Sequence, residues 1–254
     1  MGRTMKERLA LALAAALAML GSLSGVASAQ VAIDGTRVVF PEDSTEVTVA
    51  VRNAGDAPAL LQVWIGDGNS KQAPEDSSAP FAVAPPMLRL EAGKDQKLRV
   101  RLIRNRAPTE AREHLYWLNL LAAPPRANPE SNENLLQLAT RSRFKVLYRP
   151  KAIAATLPGN FADSMAFTLR RAATGLELVI ANPTAYYFNL GQVALVHGGE
   201  QQPLENPYVA PFSEVRLPIP AIASDARLRV DFSWLDDFGQ LTPGSRPVSL
   251  PPGP

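Results

Sequence analysis

The sequence predicts an all-β chain folded as two β-sandwich domains, and three observations carry that prediction. Short segments in which apolar and polar residues alternate recur along the chain, the period-2 mark of strands with one buried face. Pro, Gly, Asn and Asp separate them at intervals that suit sandwich turns, and no long amphipathic helical pattern interrupts them. Residues 30–254 are enough for two domains of roughly 100 residues each, with the best hinge at Tyr148-Arg149-Pro150. Proline cannot donate to a sheet and restricts the residue before it, so the domains are expected at 30–149 and 150–254.

The chain opens on an address. Arg3, Lys6 and Arg8 form a basic head, and the apolar run 9–20 is too short to span a membrane. Ala27-Ser28-Ala29 supplies the small-x-small cleavage pattern, so residues 1–29 read as a signal peptide cut before Gln30. In the first domain Val47, Val49 and Val51 alternate with Thr48, Ala50 and Arg52 until the turn residues from Asn53 to Pro58. Segments 60–65, 98–103, 115–121 and 135–147 are further strand candidates, the second preceded by the turn Glu91-Ala92-Gly93. In the second domain strands are expected at 177–181, 186–190, 192–196, 215–217, 227–234 and 247–250. Asn182-Pro183-Thr184, His197-Gly198-Gly199 and Asp237-Phe238-Gly239 punctuate them. Segments 66–80 and 124–134 read as exposed loops.

Removing residues 1–29 takes three of the 26 basic residues and one of the 24 acidic ones, leaving 23 of each and no net charge. No global basic field for nucleic acid remains. No second long apolar run exists, so stable membrane insertion is not expected. The two histidines, His114 and His197, are far apart and cysteine is absent, which makes a His/Cys metal site improbable; no cofactor is expected. No Gly-x-Ser-x-Gly elbow appears, and His114 reads as a structural strand residue. Asp236-Asp237 reads as a turn, because neighbouring side chains there point apart. Nothing argues for an enzyme.

The most informative stretch is 134–150. Leu136 and Leu138 alternate with polar or small neighbours, Arg141, Arg143 and Lys145 follow, and Pro150 ends it. Around it stand Thr36-Arg37-Val38-Val39-Phe40, Val63-Trp64-Ile65, Pro85-Pro86, Arg89-Leu90-Glu91-Ala92-Gly93, the segment from Glu113 to Leu120, Pro124-Pro125 and Lys145 to Pro150. Asn182-Pro183-Thr184-Ala185-Tyr186-Tyr187 and Asp236-Asp237-Phe238-Gly239 complete the series. In this order the motifs resemble the periplasmic pilus chaperones, the PapD-like proteins, over nearly all of the chain after residue 29.

The resemblance implies two immunoglobulin-like β-sandwiches set at an angle with a cleft between them. It also implies a function: binding pilus or fimbrial subunits whose own sandwich lacks a strand, lending a strand to their apolar groove, and passing them to an outer-membrane usher. Position by position, Arg37 and Lys145 match the two cleft cations that hold the subunit's terminal carboxylate. Leu136 and Leu138 match the donated apolar residues, and Thr140 stands where a bulkier apolar residue is usual. Glu113, Arg149 and Asp237 match a structural ion cluster that fixes the angle between domains. The parity of Leu136 and Leu138 differs from that of Lys145, which calls for a bulge or bend between them if both serve one ligand. The resemblance places the protein in the periplasm, with a second copy of the chain a possible partner when no subunit is bound. The short 124–134 loop and the lack of cysteine are closer to the short-loop branch of the family, which by analogy favours rod-like pili. The competing reading is a secreted β-sandwich adhesin or carbohydrate-binding module using Trp64, Trp117 or Trp234 as stacking surfaces, although core positions are expected for all three.

Overall fold

The computed structural model describes residues 31–125, 137–153, 155–159, 161–172, 175–219 and 228–250. The expected signal segment, Gln30 and Leu136 lie outside these residues. The first half builds nine strands: β1 (Val31–Ile33), β2 (Arg37–Pro41), β3 (Glu46–Asn53), β4 (Ala59–Gly66), β5 (Phe81–Ala84), β6 (Met87–Leu90), β7 (Asp95–Leu102), β8 (His114–Ala123) and β9 (Thr140–Arg149). They form two sheets, ordered β1-β3-β7-β5 and β2-β9-β8-β4-β6. All pairings are antiparallel except β2 with β9, which runs parallel and sets Arg37 opposite Lys145. Val49, Val51, Leu98 and Val100 from one sheet meet Phe40, Leu61, Leu118, Leu120 and Val146 from the other, all within one buried cluster. Val49, Val51, Leu98 and Val100 alternate with polar or small neighbours, which is why β3 and β7 form where the period-2 pattern lies.

The second half builds β10 (Ala166–Ala172), β11 (Gly175–Asn182), β12 (Phe188–His197), β13 (Glu200–Pro203), β14 (Tyr208–Val209), β15 (Ser213–Ile219), β16 (Leu228–Leu235) and β17 (Leu241–Val248). One sheet is β10-β11-β15; the other is β13-β12-β16-β17, with β14 also paired to β12. A separate core of Phe167, Leu178, Ile180, Phe188, Leu195, Val230 and Phe232 fills it.

Several sequence expectations are corrected. The strands expected at 186–190 and 192–196 are one strand, with a register shift between Leu190 and Gln192 that leaves Gly191 as the extra residue. A Cβ at Gly191 would run into Leu241 Cδ2, the tip of an exposed side chain that would have to swing aside. The last strand spans Leu241–Val248 rather than 247–250; Pro243 and Pro247 hid it, yet it is the edge strand of its sheet, where proline is tolerated. The strand expected at 135–147 begins only at Thr140. The β8–β9 register would set Leu138 opposite Pro124 and Gln137 opposite Pro125, and neither proline has an N–H to give. The 66–80 segment is not simply exposed either: Gln72 and Ala79 are buried, and Gln72 accepts from the Asp67 N–H and donates to the Asp76 carbonyl.

Candidate functional site: a basic cleft beside an open strand edge

On β9 the even residues Phe144, Val146 and Tyr148 face the core, which turns Arg141, Arg143, Lys145, Leu147 and Arg149 to the outer face. Each cation there meets an aromatic ring. Arg141 lies 4.5 Å above Trp64, Arg143 4.5 Å above Trp117, Lys145 Nζ 4.3 Å from Tyr208 and Arg149 5.3 Å from Tyr186. Trp64 and Trp117 are therefore on the outer face, outside the first core cluster: Trp64 is buried there all the same, while Trp117 is only partly buried, which corrects the core position expected for it. Their ring faces are covered by guanidinium groups, which leaves them poor surfaces for a sugar. Trp234 does pack against the second core.

Lys145 and Arg37 sit side by side on the parallel β2–β9 ladder, at the boundary between the two sandwiches. Arg37 Nη1 donates to the Leu235 carbonyl at 3.3 Å, and its Nε is buried with no partner. Lys145 Nζ donates to the Asn189 Oδ1. Among the described residues, neither cation has a carboxylate within salt-bridge distance, although nearby Asp236, Asp237 and Glu113 act on Arg37 electrostatically. Burial lowers the affinity of Arg37 for its proton. Burial, helped by the charge of Arg37, lowers the Lys145 pKa to about 8. Two desolvated cations held only by neutral acceptors form a place where an anion would be stabilised.

The edge of β9 leads to this pair. β2 covers β9 only from Lys145 to Arg149, so from Thr140 to Phe144 the edge opposite β8 pairs with no strand among the described residues. Leu138, just before it, is 65% exposed, and Thr140 is exposed. The β8–β9 ladder runs without a shift from Thr140 to Lys145, so the expected bulge is not present over that span: Thr140 and Lys145 lie on opposite faces. A guest paired to this edge would meet Thr140 from one side and reach Lys145 at its end.

Arg149 lies four residues further along β9, opposite Pro41, and is almost fully buried. Its Nε donates to Glu113 Oε1 at 2.7 Å, and its Nη1 donates to Asp237 Oδ2 at 2.7 Å and to the Ala155 carbonyl at 2.7 Å. Glu113 Oε2 accepts from the Tyr187 N–H at 2.7 Å, and the Glu113 N–H donates to the Ala185 carbonyl at 2.7 Å. Burial pushes the Glu113 carboxyl up, opposed by Arg149 and the Tyr187 N–H. Burial also works against the Arg149 charge, but its bonds to Asp237 and Glu113 hold its pKa above the ordinary value. Asp236 instead caps its own turn, accepting from the N–H groups of Phe238 and Gln240, so the two aspartates do point apart. Gly239, at φ 80°, lets the same turn come up against Thr36 of the first domain. Asn189, Tyr208 and the Leu235 carbonyl, which surround the cations from the second domain, carried no sequence signal.

Two β-sandwiches with a pair of cations at their boundary, and an open strand edge running to it, define a class of two-domain β proteins. Residues 30–154 match the N-terminal domain of the PapD pili and flagellar-assembly chaperone, and residues 160–246 match the C-terminal domain of the pili assembly chaperone PapD. The chain belongs to this family of pilus-assembly chaperones. Chaperone protein FimB/FhaD of Bordetella pertussis is 38% identical over 231 residues, 89% of this chain and 91% of that protein. Chaperone protein MrkB of Klebsiella pneumoniae is 35% identical, covering 82% of this chain and 86% of its own length. Among solved structures, the YadV chaperone aligns with a TM-score of 0.71 at 28% identity over 86% of this chain and 100% of its own. A chain from the Salmonella enterica complex of SafA pilin with the SafB chaperone aligns with a TM-score of 0.69 at 28% identity, over 88% of this chain and 98% of that one.

Proposed function

We propose that this protein is a non-catalytic periplasmic chaperone that lends β9 and the residues before it to pilus subunits missing a strand, then delivers them to an outer-membrane usher. On this reading residues 1–29 direct export and are removed, and the hinge at Arg149-Pro150 joins the two domains. The observation that carries the proposal is the open edge of β9 from Thr140 to Phe144, ending at Arg37 and Lys145 without a carboxylate of their own.

A guest strand entering along that edge takes the line that β2 occupies from Arg37 onward. With its terminal carboxylate at the two cations it runs parallel to β9, as β2 does. Backbone pairing supplies affinity along the edge, and Leu136, Leu138 and Thr140 offer alternate side chains to the guest's groove. The carboxylate fixes how far the guest slides in, because a shift by one residue would turn its side chains to the wrong face. Charge-assisted hydrogen bonds contribute about 1.5–3 kcal/mol each when water is excluded. Arg37→Ala and Lys145→Ala are therefore each expected to weaken subunit capture by roughly tenfold to a hundredfold while the fold is kept. Co-purification of subunits from periplasmic extract measures this, and wild-type capture by both variants overturns the anchor.

A further inference from the structure

The cations of the cleft come from the first domain, but what touches them comes from the second. Asn189 on β12 and Tyr208 on β14 are direct partners across the β12–β14 ladder, so their side chains are delivered to one place by a single pairing. Asn189 is 3% exposed, accepts from Lys145 Nζ and donates its own Nδ2 to the Tyr187 carbonyl at 3.3 Å. Tyr208 closes the other side of the ammonium with its ring at 4.3 Å and leans on Tyr187 at 5.9 Å between centroids. The charged and titratable groups around Lys145 are Arg37 on β2, Tyr208 and Tyr187 from the second domain, and Arg143 further out on β9. Asp236, Asp237 and Glu113 act on Arg37.

An ammonium has three donors. One goes to Asn189 and one face to the Tyr208 ring, so the remaining hydrogen-bonding capacity is directed rather than free to rotate. An amide oxygen fixes the ammonium without neutralising it, whereas a carboxylate in the same place would. We propose that Asn189 and Tyr208 are positioning residues that aim the Lys145 ammonium at the guest carboxylate while leaving its charge uncompensated, so that the second domain sets the selectivity for a free chain terminus. This rests on the anchor reading of Arg37 and Lys145. The depressed Lys145 pKa of about 8 agrees with an ammonium held by neutral groups.

Two measurements on the full-length mature protein separate the two ideas. In the first, the 13Cε resonance of Lys145 is titrated without ligand. Asn189→Asp, nearly isosteric, is expected to raise the midpoint by at least about one pH unit by placing a carboxylate on the ammonium. In the second, the probe is a synthetic peptide of alternating valine and threonine ending in a free carboxylate, compared with its C-terminal amide. The wild type is expected to prefer the acid by about tenfold or more. Asn189→Asp loses that preference because its own carboxylate occupies Lys145, and the surface variant Tyr208→Leu reduces it. Asn189→Asp that leaves either the midpoint or the preference in place overturns the role of Asn189, and Tyr208→Leu with full preference overturns that of Tyr208. A wild type that binds acid and amide alike overturns the anchor itself, and the ligand-free titration still decides whether Asn189 controls Lys145.

Discussion

Lys145 shows how a single side chain can serve a cleft at the expense of the fold. In the unfolded chain it would hold its proton up to the ordinary lysine value of 10.5, but in the folded protein only to about 8. Between these values the folded state binds fewer protons than the unfolded one, so the buried ammonium opposes folding fully below about pH 8. The opposition fades as pH rises toward 10.5. Lys145→Met is therefore expected to stabilise the unloaded protein at pH 7, raising its melting temperature by roughly 2–4 °C for each kcal/mol released. The difference from wild type should shrink toward zero near pH 10.5, and paired melting curves at pH 7 and 10.5 check it. A constant difference would mean that the methionine gains through packing and not through charge. Two asparagines work in the opposite direction. Asn53 donates to the Ala57 and Leu90 carbonyls, and Asn182 donates to those of Tyr186, Val209 and Ala210. Both were legible as turn residues, but their burial was not, because it depends on carbonyls brought in from other strands.

β9 is the element that the proposed strand donation uses, and what limits it is the strand beside it. Its ladder with β8 stops where Pro124 and Pro125 would have to pair, leaving residues 137–139 without regular pairing. Restoring the missing N–H groups with Pro124→Val and Pro125→Thr together should extend the ladder toward Leu138. Amide exchange at 137–139 is expected to slow by about tenfold or more while that of 141–147 stays unchanged, and unaltered exchange would show that something other than the prolines ends the strand. The same reasoning marks the reach of the sequence. The alternation in β3 and β7 was enough to place them, since each has one face in the core and one in water. β17 escaped because its prolines and glycine obscure the alternation, and the bulge in β12 escaped because Gly191 reads as a break when only the partner strand shows it to be an insertion. Arg37 and Lys145 could be picked out only through the motifs around them. Their adjacency depends on a parallel pairing between strands about a hundred residues apart, and alternation within either strand says nothing of that.

At the scale of the molecule, a cleft between the two sandwiches requires that they hold one relative placement, and Arg149 bonds to residues of both. It binds Glu113 at the start of β8 on one side and Asp237 in the β16–β17 turn on the other, while Glu113 reaches the backbone of Ala185 and Tyr187. Arg37 and Lys145 are likewise tied to the second domain, through Leu235 and Asn189. The cluster and the two cations thus contact neighbouring parts of the second domain, around residues 185–189 and 235–237, so loosening the first should spread the second. Removing one partner of a buried ionic group strands the others and typically costs about 3–5 kcal/mol. Asp237 is the more accessible member, with its side chain 16% exposed, so Asp237→Ala should cost less than Glu113→Ala, whose side chain is fully buried. Both variants should lower the melting temperature, and each domain should still melt cooperatively because the two cores are separate. The discriminating measurement is small-angle scattering on folded protein at low temperature. If the cluster sets the interdomain angle, Asp237→Ala broadens the distance distribution without unfolding either sandwich. A loss of stability with an unchanged distribution would make the cluster a support for local folding alone, with the cleft held by the contacts at Leu235 and Asn189.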